Sequence, residues 1–114
     1  MVAARALMLL GGAYLVGCGG GGSASGTYHC ATPEMPPAAC IEHVNISGEA
    51  LEAAQAGCER GVWGAGPCPT ANRLGGCELF PGDTDWYYAG GKFSSSQQVM
   101  DLCTRIGATF VPGS

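Results

Sequence analysis

Apolar residues are concentrated near the start of the chain and occur in short segments afterwards. A continuous apolar run, residues 6–16, follows the basic side chain of Arg5. A membrane-spanning helix needs about 20 such residues, so this run is too short to be one. A basic start, a short apolar run and a small residue, here Gly17, form the layout of an export signal. We therefore expect residues 1–17 to be removed from the mature chain.

Beyond residue 28 the pattern predicts a series of short elements. Segment 48–60 is rich in helix formers and follows Ser47, a suitable cap. Segment 95–106 carries one apolar stripe between a capping box at Ser94–Gln97 and the stop residue Gly107. Turn formers between 80 and 85 separate two strand-like segments. We predict strands at 40–46, 62–64, 75–80, 85–90 and 108–111, and helices at 48–60 and 95–106.

Cysteine spacing divides the mature chain into two similar halves. Each half carries three cysteines, a short helix that reaches the third one, and an apolar strand after it. The first half covers residues 30–64. The second covers 68–111 and contains a hairpin-sized insertion. We therefore predict an α+β fold class, a small disulfide-rich domain made of two degenerate strand-helix-strand repeats with a small, mainly antiparallel sheet.

The seventh cysteine, Cys18, stands directly after the apolar run. The residues Leu15-Val16-Gly17-Cys18 resemble the lipobox of bacterial lipoproteins. The resemblance implies cleavage between Gly17 and Cys18, a diacylglycerol on the cysteine sulfur and usually an acyl group on the freed amine. Without Cys18 the cysteine count is even, which also favours lipidation. The alternative is that Cys18 pairs with another thiol.

Lipidation implies a chain in three parts. These are a signal peptide at 1–17, the lipidated cysteine with a flexible glycine- and serine-rich tether at 18–27, and a small disulfide-braced domain at 28–114. Gly19 differs from the aspartate that retains lipoproteins at the inner membrane of well-known bacteria. The resemblance therefore favours an extracytoplasmic position on the outer membrane.

Six cysteines remain for three bridges, which small exported domains often need for stability. Because each half holds an odd number, at least one bridge must join the halves, and the symmetric choice is Cys30 with Cys68. An extended segment followed by a helix favours Cys40 with Cys58, whereas the inserted strand gives no comparable support for the remaining pair. We expect Cys58→Ala to destabilise the domain more than any surface change. The bridging residues are Cys30, Cys40, Cys58, Cys68, Cys77 and Cys103.

Residues 68–110 resemble a repeated unit of small cysteine-rich lipoproteins from GC-rich bacteria, a group with no assigned activity. The residues that carry the resemblance are Cys68-Pro-Thr-Ala-Asn-Arg-Leu-Gly-Gly-Cys77 and Cys103-Thr-Arg-Ile-Gly-Ala-Thr-Phe110. The resemblance supports the disulfides and the lipid, and it implies no catalytic residue.

Charge and cysteine spacing exclude several classes of function. The mature chain would carry four basic and nine acidic side chains, a formal net charge of −5. Phosphates repel such a chain, so we expect no nucleic-acid partner, and membrane attachment must come from the lipid. The sequence has no Cys-x-x-Cys pair, which disfavours a zinc site and thiol–disulfide exchange. Asp83 and Asp85 supply too few oxygens for calcium. We expect no metal and no cofactor.

Aromatic residues offer the main candidate for binding. Trp86 and Tyr88 share one face of an alternating strand. If exposed, they could stack on a sugar or anchor a protein; the simpler expectation is that this face is core. An enzyme would need a cleft that sets His29 or His43 against carboxylates, and we expect none. We expect a lipid-anchored envelope protein with a non-catalytic structural or interaction role. The alternative is a small ligand-binding or inhibitory module that recognises a glycan or an envelope protein through its aromatics.

Overall fold

The computed structural model describes residues 25–113. The predicted signal, Cys18 and residues 19–24 of the predicted tether lie outside this range. Strand β1 starts at Gly26, so the last two residues of that predicted tether belong to the sheet. The elements are β1 Gly26–Ala31, β2 Ala39–Ile46, α1 Gly48–Gly57, β3 Val62–Ala65, β4 Arg73–Phe80, β5 Asp83–Tyr88, α2 Ser96–Ile106 and β6 Thr109–Pro112.

All six strands form one antiparallel sheet in the order β3-β1-β2-β5-β4-β6. The predicted small antiparallel sheet with two helices is confirmed, and the sheet dominates the domain. The sequence prediction omits β1, because a glycine-rich segment precedes this strand and its stability comes from distant partners. β1 pairs with β2 on one side and with β3 on the other. The predicted turn between two strands is confirmed as the β4–β5 hairpin, whose turn is Pro81-Gly82.

The sheet has a core on each side, because successive side chains of a strand point to opposite sides. We call the two sides the loop side and the helix side. The loop 66–72 covers the loop side, and α2 packs on β4 and β6 on the helix side. The loop-side core comprises Ala31, Cys40, Cys68, Trp86 and Tyr88. The helix-side core comprises Cys77, Val99 and Cys103, with Phe110 and other partly buried side chains around them.

Three disulfides join these layers: Cys30–Cys58, Cys40–Cys68 and Cys77–Cys103. The expected use of all six cysteines is confirmed, as is the bridge between the two halves. The expected pairs Cys30–Cys68 and Cys40–Cys58 are wrong. Cys40 lies opposite Ala31 in the sheet and faces the loop side, whereas Cys30 lies opposite Ile41 and faces the helix side. Each of these cysteines therefore bonds to a cysteine on its own side of the sheet: Cys40 to Cys68 in the loop 66–72, and Cys30 to Cys58 after α1.

The two helices are held differently. Helix α2 buries Val99 and Cys103, accepts a capping bond on the Ser95 hydroxyl and ends at Gly107 in the left-handed conformation. Its cap is thus one residue later than predicted. Helix α1 buries no residue, its N-cap Ser47 makes no side-chain capping bond, and it ends before Cys58 instead of reaching residue 60. Neither helix within residues 25–113 is long and apolar enough to cross a membrane.

Candidate functional site

Strand register brings five chemically distinctive side chains together on the helix side of the sheet. Tyr28, His43 and Asp83 lie directly opposite one another on β1, β2 and β5. The neighbouring row on the same side contains Trp63 on β3 and Asp85 on β5, which Cys30 and Ile41 connect across β1 and β2. Directly opposite residues of antiparallel strands share a side, so all five face the same way. We call these five residues the aromatic–acidic surface.

The aromatic part of this surface is a stack on neighbouring strands. The rings of Tyr28 and Trp63 are nearly parallel, with centroids 5.7 Å apart. The His43 ring lies on the same cluster, 6.0 Å from Trp63 and tilted by 35°. Tyr28, His43 and Trp63 are each partly exposed. The stack therefore presents a preorganised edge of aromatic groups to solvent, which costs little side-chain entropy when a partner binds.

A histidine–carboxylate pair connects the aromatics to the acidic part. Nδ1 of His43 lies 3.0 Å from Oδ1 of Asp83, and the two side chains are 13% and 44% exposed. A carboxylate only accepts hydrogen bonds, so Nδ1 carries the hydrogen and donates it. In the neutral imidazole, Nε2 is then a hydrogen-bond acceptor. The pair fixes one orientation of the ring.

Asp85 is the most perturbed acid of this surface. Burial raises the pKa of its carboxyl, the nearby Asp83 raises it further, and His43 acts in the opposite direction. Burial and the charge of Asp85 also raise the pKa of Tyr87, which lies two residues further along β5 on the same side of the sheet. The surface therefore holds negative charge at a position where water solvates it poorly. A bound cation would relieve that cost.

This burial predicts a pH-dependent stability. Between the ordinary pKa of 3.8 and its raised value in the folded chain, the folded state holds more protons on Asp85 than the unfolded state. The free energy of unfolding contributed by Asp85 therefore falls as the pH rises through this window. Asp85→Asn is expected to unfold at a higher urea concentration than the wild type at pH 7, with the difference shrinking towards pH 3.8.

Urea denaturation at both pH values measures this effect. Glu52→Gln on the exposed face of α1 is the matched control, and we expect its difference from the wild type to be small at either pH. An Asp85→Asn variant that is less stable than the wild type at pH 7 would contradict the proposed cost of burial.

An apolar cleft adjoins the aromatic–acidic surface. It has a volume of about 270 Å³ and lies between the ends of β1 and β2 and the end of α1. Ile41, which is 40% exposed, lies directly opposite Asp85 and forms part of the cleft wall. The exposed Arg60 stands at the cleft as its one charged lining residue. The surface and the cleft together offer apolar, aromatic and charged contacts side by side, a composition typical of protein interfaces.

The residues predicted to bind a ligand lie elsewhere. Trp86 and Tyr88 share one side as the alternation predicts, but that side is the loop-side core, where they are 6% and 0% exposed. The Arg73 guanidinium covers the Trp86 ring at 3.7 Å from its centroid, and the Tyr88 hydroxyl donates to the Pro69 carbonyl at 2.6 Å. The prediction of a binding role for this pair is therefore corrected, because neither ring is accessible for stacking.

The two histidines also differ in their surroundings. His43 is set against a carboxylate, whereas Nδ1 of His29 lies 2.9 Å from the Gly66 carbonyl on the loop side. All six cysteines of residues 25–113 are in disulfides, so this part of the chain has no free thiol to serve as a nucleophile beside His43. The expectation that neither histidine is set against a carboxylate is therefore wrong for His43. The arrangement can orient a histidine and hold charge.

Sequence reasoning missed Tyr28 and Asp83 as parts of one site. Their proximity depends on β1 and on the register of β2 with β5, and neither follows from local pattern. The alternation of Asp83 and Asp85 was the available signal, since it places both acids on one side of a strand. Within the described residues, no three histidine, cysteine or acidic side chains are grouped so that they could hold a metal ion.

Comparison of this chain with protein-family models, with curated proteins and with solved structures finds no match.

Proposed function

We propose that this chain is a lipid-anchored cell-envelope protein whose disulfide-braced domain is a non-catalytic interaction module. The residues Leu15-Val16-Gly17-Cys18 support the anchor through their resemblance to a lipobox. The three bridges occupy the other six cysteines of the chain, so they leave no cysteine of the same chain to pair with Cys18. The pairing of those six cysteines supports lipidation of Cys18 over a fourth bridge.

The aromatic–acidic surface is the observation that carries the interaction role. It combines stacked rings, an oriented histidine and two carboxylates, one of which is poorly solvated. Aromatic rings and carboxylates both attract an arginine or lysine side chain. The partner that fits best is a protein segment that presents a basic side chain to Asp83 and Asp85 and an apolar side chain to the cleft. The acidic net charge of the chain would speed its approach.

Glycan recognition is a second proposal, and it involves other aromatic residues than the predicted pair. Trp86 and Tyr88 are enclosed, so stacking on a sugar would fall to Trp63 and Tyr28. These two rings already stack on each other, which leaves less of each face for a ligand. The observations therefore favour the basic protein segment.

We also propose that the domain consists of two degenerate repeats, aligned differently from the predicted halves. In the first repeat β1 lies between β2 and β3, and α1 connects β2 to β3. In the second repeat β4 lies between β5 and β6, and α2 connects β5 to β6. Cys30 lies opposite Trp63, and Cys77 lies opposite Phe110. The cysteine of the first strand pairs with the cysteine at the helix end in both, so Cys40–Cys68 is the additional bridge.

Intact mass spectrometry of the native protein tests the anchor. We expect a chain that starts at Cys18 with an added lipid mass, and a gain of six hydrogens on reduction, two for each of the three bridges. A chain that starts elsewhere and carries no lipid mass would overturn this part of the proposal.

Titration with short peptides tests the binding surface. Tryptophan fluorescence of the purified protein is expected to respond to arginine- and lysine-containing peptides more strongly than to oligomers of N-acetylated sugars. Asp83→Asn is expected to weaken peptide binding by about tenfold, the loss of one charge-assisted contact. Asp101→Asn on the exposed side of α2 is the matched control and is expected to bind as the wild type does. Equal binding by both variants, or a response to sugars alone, would contradict the proposal.

A further inference from the structure

Exposed apolar side chains gather at one end of the sheet, the end where the described chain begins. Strand β1 starts at Gly26, which lies opposite Ile46 at the end of β2. Strand β5 starts at the same end, because His43 near the end of β2 lies opposite Asp83. The β4–β5 turn at Pro81-Gly82 is therefore at this end too, two to three strands away from β1. We call this end the N-terminal end.

The turn and its neighbours carry three solvent-exposed apolar side chains. Phe80 is 67% exposed, Leu79 is 46% exposed and Val44 is 41% exposed. Val44 adjoins the turn, since its backbone N–H donates to the Gly82 carbonyl at 2.7 Å. Ile106, which is 45% exposed, ends α2 at the same end, just before β6 begins. Half of the large apolar residues exposed in the described chain thus lie at the N-terminal end. We call the group Phe80, Leu79 and Val44 the apolar tip.

The length of chain before the domain determines what this tip can reach. Seven residues lie between Cys18 and Gly26, and the eight steps from one to the other span at most about 28 Å when fully extended. Neighbouring strands are about 4.8 Å apart, so β5 and β4 lie about 10 to 15 Å from β1 across the sheet. A lipid on Cys18 would therefore keep the apolar tip within reach of the membrane surface.

The charges beside the tip do not prevent contact with lipid. Segment 79–82 contains no ionisable side chain. The flanking Glu78 carboxylate accepts a hydrogen bond from the Gly82 N–H at 3.4 Å, and Asp83 is held by His43. Apolar side chains at a turn can enter the boundary between headgroups and acyl chains, where they lose contact with water.

We propose that the apolar tip inserts into the lipid surface beside the anchor and so fixes the orientation of the domain on the membrane. This inference rests on the proposed lipid anchor at Cys18. It assigns a second, weaker membrane contact to Phe80, Leu79 and Val44. The strands would then run roughly perpendicular to the membrane plane. The opposite end of the sheet, where Val62 begins β3, then points away from the lipid.

Tryptophan scanning of the lipidated full-length protein in vesicles tests the insertion. Phe80→Trp and Val62→Trp are compared in phosphatidylcholine vesicles with brominated acyl chains, and the emission of the unsubstituted protein is subtracted. Val62 is the matched control, because it is 54% exposed and begins β3 opposite Ala31, at the far end of β1. We expect at least twofold quenching and a blue shift for Phe80→Trp, and no quenching for Val62→Trp.

The outcomes separate this inference from the anchor. Absence of lipid mass on Cys18 would overturn the anchor itself, and with it the proposed geometry. Protein that is lipidated and vesicle-bound, yet shows no quenching at position 80 or equal quenching at both positions, would overturn only the insertion. Concentration-dependent sedimentation together with an unquenched position 80 would assign the tip to contact with a second copy, which also contradicts the proposal.

Discussion

Replacing Cys77 and Cys103 together by alanine is expected to lower the free energy of unfolding by about 5 kcal/mol, more than loss of the Cys30–Cys58 bridge. The two cysteines are separated by 26 residues, and closing a loop of that length stabilises a protein by about 3.5 kcal/mol. They are also 0% and 1% exposed and contact Val99 in the helix-side core, so their removal leaves a cavity as well. Typical domains have only about 5 to 15 kcal/mol in total. The double variant is therefore expected to unfold at a much lower urea concentration than the wild type.

The control is the double alanine variant of Cys30 and Cys58. These cysteines are separated by 28 residues, so the chain-entropy contribution is nearly the same. Cys30 is only partly buried, and Cys58, although only 9% exposed, belongs to neither the loop-side core nor the helix-side core. We expect a loss of about 3.5 kcal/mol and little cavity cost. Urea denaturation followed by circular dichroism measures both variants. A larger loss for Cys30 and Cys58 than for Cys77 and Cys103 would show that burial does not decide the order.

The Cys58→Ala expectation from sequence takes a more specific form in the structure. Because α1 has no buried side chain, the Cys30–Cys58 bridge and the chain connections are what hold it near the sheet. Loss of the bridge should therefore affect α1 first and the rest of the domain less. The sequence pattern could not indicate this difference, since Leu51 and Ala54 suggest an apolar stripe equal to that of α2.

Elements with strong local signals could be predicted from the sequence. Helix α2 combines an apolar stripe, a serine cap and a glycine stop, and all three signals indicate the same helix. Its predicted range, 95–106, therefore differs from the observed Ser96–Ile106 by one residue at the start. The β4–β5 hairpin was likewise indicated by Pro81-Gly82. Both features depend on residues that are close together in the sequence, where pattern and propensity act directly.

Features that depend on register could not be predicted. Omitting β1 left the direction of Cys30 undetermined, and the disulfide partners of Cys30 and Cys40 were therefore exchanged. The same omission hid the row that joins Tyr28, His43 and Asp83. A shift of one residue in pairing moves a side chain to the other side of a sheet. The site thus depends on long-range hydrogen bonding that no local pattern records.

The loop-side core provides the second large effect, in Tyr88→Ala. Tyr88 is 0% exposed and packs with Trp86 and the Cys40–Cys68 bridge, so its truncation is expected to cost about 4 kcal/mol. Tyr88→Phe keeps the ring but leaves the Pro69 carbonyl without the hydroxyl that donates to it at 2.6 Å. That change is expected to cost about 1 to 2 kcal/mol.

Urea denaturation of these two variants beside Tyr87→Phe separates ring burial from the hydrogen bond. Tyr87 is the matched control, because it is only partly buried and packs edge-on against Phe93, and its change is expected to stay within about 0.5 kcal/mol. The result also bears on function. If Tyr88→Ala left stability unchanged, the ring could not be enclosed as described, and Trp86 with Tyr88 would return as the exposed pair that a glycan could stack on. A loss near 4 kcal/mol leaves Tyr28 and Trp63 as the aromatic residues available to a partner.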